Sequence, residues 1–307
     1  MRSRPLSARA DSAARISSND RSRGLAHVEK SLHHSDVRTS DAFGPRPWRL
    51  AGAASRRTDL LPLAGSVVIV DAVIPALNEA GSVGGVVAGL PRSLIRSVIV
   101  ADNGSTDGTG DVARAAGAIV VREERRGYGA ACLCAMAALP PDGDVVLFLD
   151  ADGSDDVGAL AALLDPLARG TADFVVGSRV RGGGQAALTF PQRMGNALAA
   201  RWLRVRYGIP ATDLGPFRAI RRDALAALDM QDRTYGWTVE MQIKAARAGL
   251  RYAEVSVQAL PRRAGRSKVS GTLRGVAGAA WKIIGLLVRY DLCAKKPARR
   301  ASHGADE

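Results

Sequence analysis

Residues 145–156 read Val-Val-Leu-Phe-Leu-Asp-Ala-Asp-Gly-Ser-Asp-Asp. The run Val145–Leu149 is too short for a helix and has no polar face, so it reads as a β-strand covered on both sides, as parallel strands are in layered α/β proteins. The acidic loop that follows it directly therefore sits at the carboxyl end of a buried strand. The same grammar recurs along the chain. Apolar runs at 67–74, 97–101, 118–121, 144–149 and 173–177 read as strands, and the segments 81–90, 106–116, 129–139 and 157–168 between them read as helices. Strands alternating with helices predict a doubly wound sheet, in which ligands bind outside the carboxyl ends of the strands.

The charge distribution bounds the rest. The chain of 307 residues carries a formal net charge of +13, but it is uneven: residues 1–58 hold 12 Lys/Arg against 5 Asp/Glu, residues 262–307 hold 11 against 3, and the 203 residues between hold 20 against 22. A neutral body with basic ends argues against a globular nucleic-acid reader, and no nucleic-acid partner is expected. Residues 1–58 show neither strand nor helix periodicity and read as a disordered basic tail. Body 66–262, basic and amphipathic segment 263–292 and tail 293–307 complete the division. Cys132, Cys134 and Cys293 suggest neither a disulfide framework nor a zinc site. His27, His33 and His34 fall in the tail, so carboxylates or a metal must carry the chemistry. No stretch reaches the ~18 apolar residues of a spanning helix and no apolar leader is present, so the expectation is a chain neither exported nor integral to a membrane.

Three loops follow the first, second and fourth strands: Pro75-Ala76-Leu77-Asn78-Glu79, Asp102-Asn103-Gly104-Ser105-Thr106-Asp107, and Asp150-Ala151-Asp152-Gly153-Ser154-Asp155-Asp156. Ser105, Thr106 and Asp107 fit turn and helix-cap roles as well as a site. Four carboxylates in seven residues would repel one another without a cation. Asp150 and Asp152, one residue apart, suit a hard divalent ion that keeps waters and bridges nucleotide phosphates. Ser154, Asp155 and Asp156 supply either a further ligand or a helix cap. Gly127 and Gly129, after Arg125-Arg126, fit either a tight turn or close approach to a phosphate at a helix N-terminus.

The ordered motifs IPALNE, VIVADNGSTDGT, RRGYGAA, FLDADGSDD, GSRVRG, QRMGN, DLGPFRAIRR, YGWTVEMQIKAARAG and RRAGRSKVSGT span about residues 66–290. As a set they resemble glycosyltransferase family 2 with the glycosyltransferase-A fold, a Rossmann-like, mainly parallel mixed sheet. The likeness is greatest to enzymes that place glucose or mannose on dolichyl or polyprenyl phosphate. That resemblance implies donor contacts from Pro75, Asn78, Glu79, Asp102, Gly127, Gly129, Asp150, Ala151 and Asp152. It also implies Mg²⁺ or Mn²⁺ on Asp150 and Asp152 with Ser154 as a third ligand, and acceptor-side cations at Arg179 and Arg193. Asp213 and Glu240 would lie near the reacting sugar. The chain departs from the family's usual residues at Asn103, often Asp, and at Ser154, often Gln.

A lipid phosphate is already an oxyanion and needs cations to hold it, whereas a hydroxyl acceptor needs a general base. Arg262, Arg263, Arg266 and Lys268 follow a predicted strand at 252–257, and with Ser267 they fit phosphate recognition. On a helical wheel, residues 273–290 place Trp281 and aliphatic side chains on one face and Arg274, Lys282 and Arg289 on another. Such a helix either lies in a membrane interface or packs on the domain. The leading expectation is a metal-dependent, inverting transfer of a hexose from a nucleoside diphosphate sugar (UDP-glucose or GDP-mannose) to a polyprenyl phosphate. It would take place at the inner face of the cytoplasmic membrane, with peripheral contact through 273–290. The rivals are transfer to a hydroxyl of a soluble glycan or metabolite, with Asp213 or Glu240 as base, and a non-enzymatic polyanion-binding protein.

Overall fold

The structure, a computed structural model, describes residues 68–183 and 190–264 together with Gly285. The predicted tails, Arg266, Ser267 and Lys268, and, Gly285 apart, the predicted helix 273–290 lie outside the described residues.

Among the described residues, seven strands form one sheet: β1 (Val70–Ala76), β2 (Ile95–Asp102), β3 (Ile119–Arg122), β4 (Val145–Phe148), β5 (Phe174–Ser178), β6 (Arg218–Arg221) and β7 (Tyr252–Ser256). Their order is β3-β2-β1-β4-β6-β5-β7. β1 pairs in parallel with β2 and β4, β2 with β3, and β5 with β7, whereas β6 runs antiparallel between β4 and β5. The sheet is thus mixed and mostly parallel. Among the described residues, seven α-helices accompany it: α1 (Ala80–Gly89), α2 (Thr109–Ala115), α3 (Tyr128–Ala137), α4 (Leu160–Ala168), α5 (Phe190–Tyr207), α6 (Arg222–Leu228) and α7 (Trp237–Ala248).

The uniformly apolar strands are explained by two cores. Side chains alternate across a strand, and Ala72, Ile74, Val145 and Leu147 enter one core with Val83 and Val87 of α1 and Leu163 and Leu167 of α4. Val73, Val146 and Phe148 enter the other with Ala131 and Ala135 of α3, Leu225 of α6 and Trp237 of α7. A smaller cluster joins Leu203 of α5 to Val239 and Ile243 of α7.

β6 is the strand that the hydrophobic pattern misses. It reads Arg-Ala-Ile-Arg, yet Arg218 is 1% exposed. Its guanidinium survives burial by donating to the carbonyls of Leu214, Gly215 and Thr238, and it lies 5.8 Å from the centre of the Phe174 ring. An arginine whose donors are met, here by backbone carbonyls and the Met241 sulfur, can occupy a central strand.

Candidate active site

The loops after β1, β2 and β4 open on one edge of the sheet and wall a cavity of about 370 Å³. Pro75, Ala76, Leu77 and Glu79 line it from the first loop, Asn103 from the second, and Asp150, Ala151 and Asp152 from the third. Gly127, Tyr128 and Ala131 contribute from the start of α3, and Arg126, Tyr235 and Arg262 add two cations and an aromatic ring. Of the residues expected at the donor, Asn78, Asp102 and Gly129 are not part of this lining.

Those three tie the surrounding loops together behind the lining. Asn78 adopts a left-handed conformation (φ 50°), its Oδ1 accepts the Thr106 amide at 2.9 Å, and its own amide donates to Ser105 Oγ at 2.9 Å. The amides of Glu79 and Ala80 donate to Thr109 Oγ1 and Asp107 Oδ2. Ser105, Thr106 and Asp107 therefore clamp the first loop to the second, and the N-cap position of α2 falls on Gly108. Asp102 Oδ1 accepts the Ser105 amide at 2.8 Å.

Asn103 has a reason to be an amide. Its Nδ2 donates to the carbonyls of Glu123 and Arg125, and its Oδ1 accepts the Gly127 amide at 2.8 Å. A carboxylate at this position could not make the two donations. At Gly127 and Gly129 the close approach is to the chain's own backbone: an added Cβ would come within 2.0 Å of the carbonyl oxygens of Arg233 and Asp232 respectively. The amides of Gly129 and Ala130 donate to Thr234 and Arg233, so these helix-terminal donors meet a protein loop where the sequence suggested a donor phosphate.

The acidic loop is electrostatically strained. The Tyr128 hydroxyl donates to Asp150 Oδ1 at 3.2 Å. Burial, reinforced by the neighbouring Asp152 charge, pushes the Asp150 carboxyl up to about 6, with Tyr128, Arg179 and Arg262 pulling against it. Burial, with the neighbouring Asp150 charge, also raises the Asp155 carboxyl well above the usual carboxylate range, and Asp155 Oδ2 accepts the Asp150 amide at 2.7 Å. Asp155 thus fastens the loop. Asp156 Oδ2 accepts the Gln258 amide, and the short helical turn that begins at Val157 has no side-chain cap.

Asp152 Oδ1 accepts the Ser154 amide at 2.8 Å, and its Oδ2 pairs with Arg262 Nη2 at 2.9 Å. Two oxygen-donor carboxylates, one with its pKa raised by burial and by the charge of the other, match a hard divalent cation. Among the described residues no three His, Cys, Asp or Glu are grouped to hold an ion. A cation here would complete its shell from water and a diphosphate, the usual arrangement for Mg²⁺.

The acceptor-side residues are partly committed elsewhere. Arg179 forms a two-pronged pair with the fully buried Asp213, Nε to Oδ2 at 2.9 Å and Nη2 to Oδ1 at 2.8 Å, and its amide also donates to Oδ2. Glu240 accepts the amides of Gln231 and Asp232 and pairs with Lys244 Nζ at 2.9 Å. Glu240 therefore holds the loop that carries Arg233 and Tyr235. Arg193 lines a second cavity, about 350 Å³, with Arg204, Asn196 and Thr212. Arg263 lies over Gly153, whose φ of +75° already favours glycine and where an added Cβ would come 2.8 Å from the Arg263 Cδ.

Comparison with known proteins agrees with this architecture. The family model described as "Glycosyl transferase family 2" matches residues 71–229. An uncharacterized glycosyltransferase of Mycobacterium tuberculosis is 42% identical over 72% of this chain and all of its own length. The undecaprenyl-phosphate mannosyltransferase of Micrococcus luteus is 33% identical over 71% of this chain and 95% of its own. Among solved structures, glucosyl-3-phosphoglycerate synthase of M. tuberculosis, in complex with Mn²⁺, UDP-glucose and phosphoglyceric acid, superposes with a TM-score of 0.57. It shares 25% identity, and the match covers 75% of this chain and 81% of that one. With its strand-end loops, acidic pair and mixed sheet, the chain belongs to glycosyltransferase family 2 and has the glycosyltransferase-A fold.

Proposed function

We propose that this glycosyltransferase moves a hexose, with inversion, from a nucleoside diphosphate sugar to a polyprenyl phosphate at the inner face of the cytoplasmic membrane. The observation that carries the phosphate acceptor is the state of the two carboxylates a hydroxyl acceptor would need as base. Both oxygens of Asp213 are held by Arg179, and both oxygens of Glu240 by backbone amides and Lys244. An acceptor that is already an oxyanion requires neither.

The chain's own residues divide the work. Asp150 and Asp152 hold a divalent cation, Mg²⁺ or Mn²⁺, which when bound neutralises the diphosphate and makes it a better leaving group. Pro75, Glu79 and Gly127 shape the donor side of the cavity, and Tyr128 orients Asp150 through its hydroxyl. Arg193 and Arg263, with Arg266, Ser267 and Lys268 beyond the described residues, hold the acceptor phosphate, while Asp213 keeps Arg179 in place beside the acidic loop. Support for a lipid-borne acceptor comes from α5, whose Met194, Leu198 and Val205 are 57%, 55% and 78% exposed beside Arg193, Arg201 and Arg204. Its sequence contains no acidic residue. Apolar and cationic side chains on one surface suit contact with anionic lipid. No helix of the described residues is long and apolar enough to cross a membrane.

The test supplies radiolabelled UDP-glucose or GDP-mannose, Mg²⁺ or Mn²⁺, and either a short polyprenyl phosphate or the matching polyprenol. Label entering the organic phase with the phosphate alone is expected. Equal labelling of the polyprenol, or no lipid labelling with any donor, would overturn the phosphate-acceptor reading.

A further inference from the structure

The segment after β7 is fastened along the acidic loop in register. The amide of Gln258 donates to Asp156 Oδ2, that of Leu260 to the Ser154 carbonyl, and that of Arg263 to the Asp152 carbonyl, at 3.1, 3.1 and 3.0 Å. This course delivers Arg262 into the donor cavity. Its Nη2 lies 2.9 Å from Asp152 Oδ2 and its Nη1 3.8 Å from Glu79 Oε1, against carboxylates that are 4% and 8% exposed, while the guanidinium side is 36% exposed. The arginine therefore bridges two buried acids on the cavity wall, and one of them is an expected cation ligand.

A carboxylate oxygen that directs its charge at a guanidinium is a poorer ligand for a divalent ion, because the two positive charges would lie within a few ångströms of each other. A guanidinium is also a good partner for a diphosphate, binding it through paired N–H donors. We infer that Arg262 is the resident counter-ion of the donor site: without donor it occupies the place beside Asp152 that a divalent cation takes on loading, and it transfers to the diphosphate when cation and nucleotide arrive together. Arg262 is then a positioning residue that couples the two ligands. Cation alone must displace it without recompense, and nucleotide alone must draw it from Asp152, leaving that acid uncompensated. The pair of ligands removes both penalties, so each raises the affinity for the other by the same factor. Tyr128 and Asp155 hold Asp150 in place throughout and take no part in the exchange.

The inference rests on Asp150 and Asp152 being the cation ligands, and its test separates the two claims without measuring transfer. Mn²⁺ binding to the full chain is followed by electron paramagnetic resonance of the free ion, alone and with saturating UDP or GDP, each against a protein-free titration that accounts for the Mn²⁺ held by the nucleotide itself. The wild type is expected to bind Mn²⁺ weakly alone and roughly tenfold or more tightly with nucleotide, within the 5–150-fold range usual for such coupling. Arg262→Ala is expected to bind Mn²⁺ alone several-fold more tightly than wild type and to lose most of the nucleotide enhancement. Arg262→Lys, which keeps the charge without the paired donors, should restore part of it. Equal Mn²⁺ affinity in wild type and Arg262→Ala, or an undiminished enhancement in Arg262→Ala, overturns the exchange while leaving the cation site intact. Mn²⁺ binding by Asp152→Asn at wild-type affinity overturns the cation site itself, and the exchange with it.

Discussion

The amino end of the sheet and the acidic loop at its carboxyl end treat buried carboxylates in opposite ways. At the amino end of β1, Asp71 is fully buried and fully paired: Arg96 holds both oxygens at 3.0 and 2.6 Å, and the Ser97 hydroxyl donates at 2.6 Å. Arg222 stands 3.8 Å away. Ahead of β5, Asp173 is met likewise by the side chain and amide of Arg251. At the carboxyl end, Asp150, Asp152 and Asp155 crowd one another, and burial with mutual repulsion raises the Asp150 and Asp155 carboxyls. Acid content alone does not distinguish the ends. The balance of partners does: a saturated carboxylate holds the fold together, whereas an under-compensated cluster is kept for a ligand that brings positive charge.

The strongest way to break this contrast is to substitute one residue at each end. Asp152→Asn should lower transfer on the order of 10²–10³-fold, the loss typical of removing one charge-stabilising group, while its urea midpoint stays near wild type. Unchanged transfer would mean that the acidic loop is not the donor's cation site. Asp71→Asn should do the reverse. It leaves Arg96 and Arg222 without their shared acid at a cost of about 2–3 kcal/mol, below the 3–5 typical of fully buried pairs because Arg96 still reaches water. The melting temperature should fall by about 5–10 °C for a domain of this size, with activity per folded molecule retained.

Asp150 sharpens the contrast through pH. Its folded pKa, about 6, lies above the ordinary carboxylate value of 3.8. A raised folded pKa makes the contribution to stability fully present below about pH 4 and lost as pH rises through 6. In the presence of chelator, urea unfolding from pH 5 to pH 7.5 should therefore show a declining component on the order of 1–2 kcal/mol that disappears in Asp150→Asn. A variant with the same pH slope as wild type would assign that slope to other groups. The smallest expected effect belongs to Tyr128→Phe. Its hydroxyl lowers the Asp150 pKa, so its removal should move the same decline upward by less than about one pH unit, and a downward shift would contradict the hydrogen bond.

The parallel strands and the three strand-end loops were legible in the sequence because buried two-faced strands and acid-rich loops both leave local patterns. β6 was not, since Arg218 and Arg221 mimic a surface segment, and their partners, carbonyls of the loop before β6 and of α7 for Arg218 and the Asp223 carboxylate for Arg221, appear only in the fold. Asn103, Arg126, Tyr128, Tyr235 and Arg262 escaped the expected donor set for a similar reason. Tyr235 and Arg262 reach the cavity only through tertiary contacts: the 232–234 backbone meeting Gly127 and Gly129, and the segment after β7 aligned on residues 152–156. The one local hint was the aromatic residue between the two glycines. Glu240 shows the converse: at the start of a helix it reads as a site residue, and in the structure its oxygens accept the amides of Gln231 and Asp232.

Mass spectrometry of the products formed from a mixture of nucleoside diphosphate sugars, with polyprenyl phosphate and soluble glycans both present, decides between lipid and soluble acceptor. A single new lipid species is expected, a polyprenyl monophosphate carrying one hexose, formed only with divalent cation and absent for Asp152→Asn. Hexose found on a soluble acceptor, with the lipid fraction unchanged, would contradict this expectation.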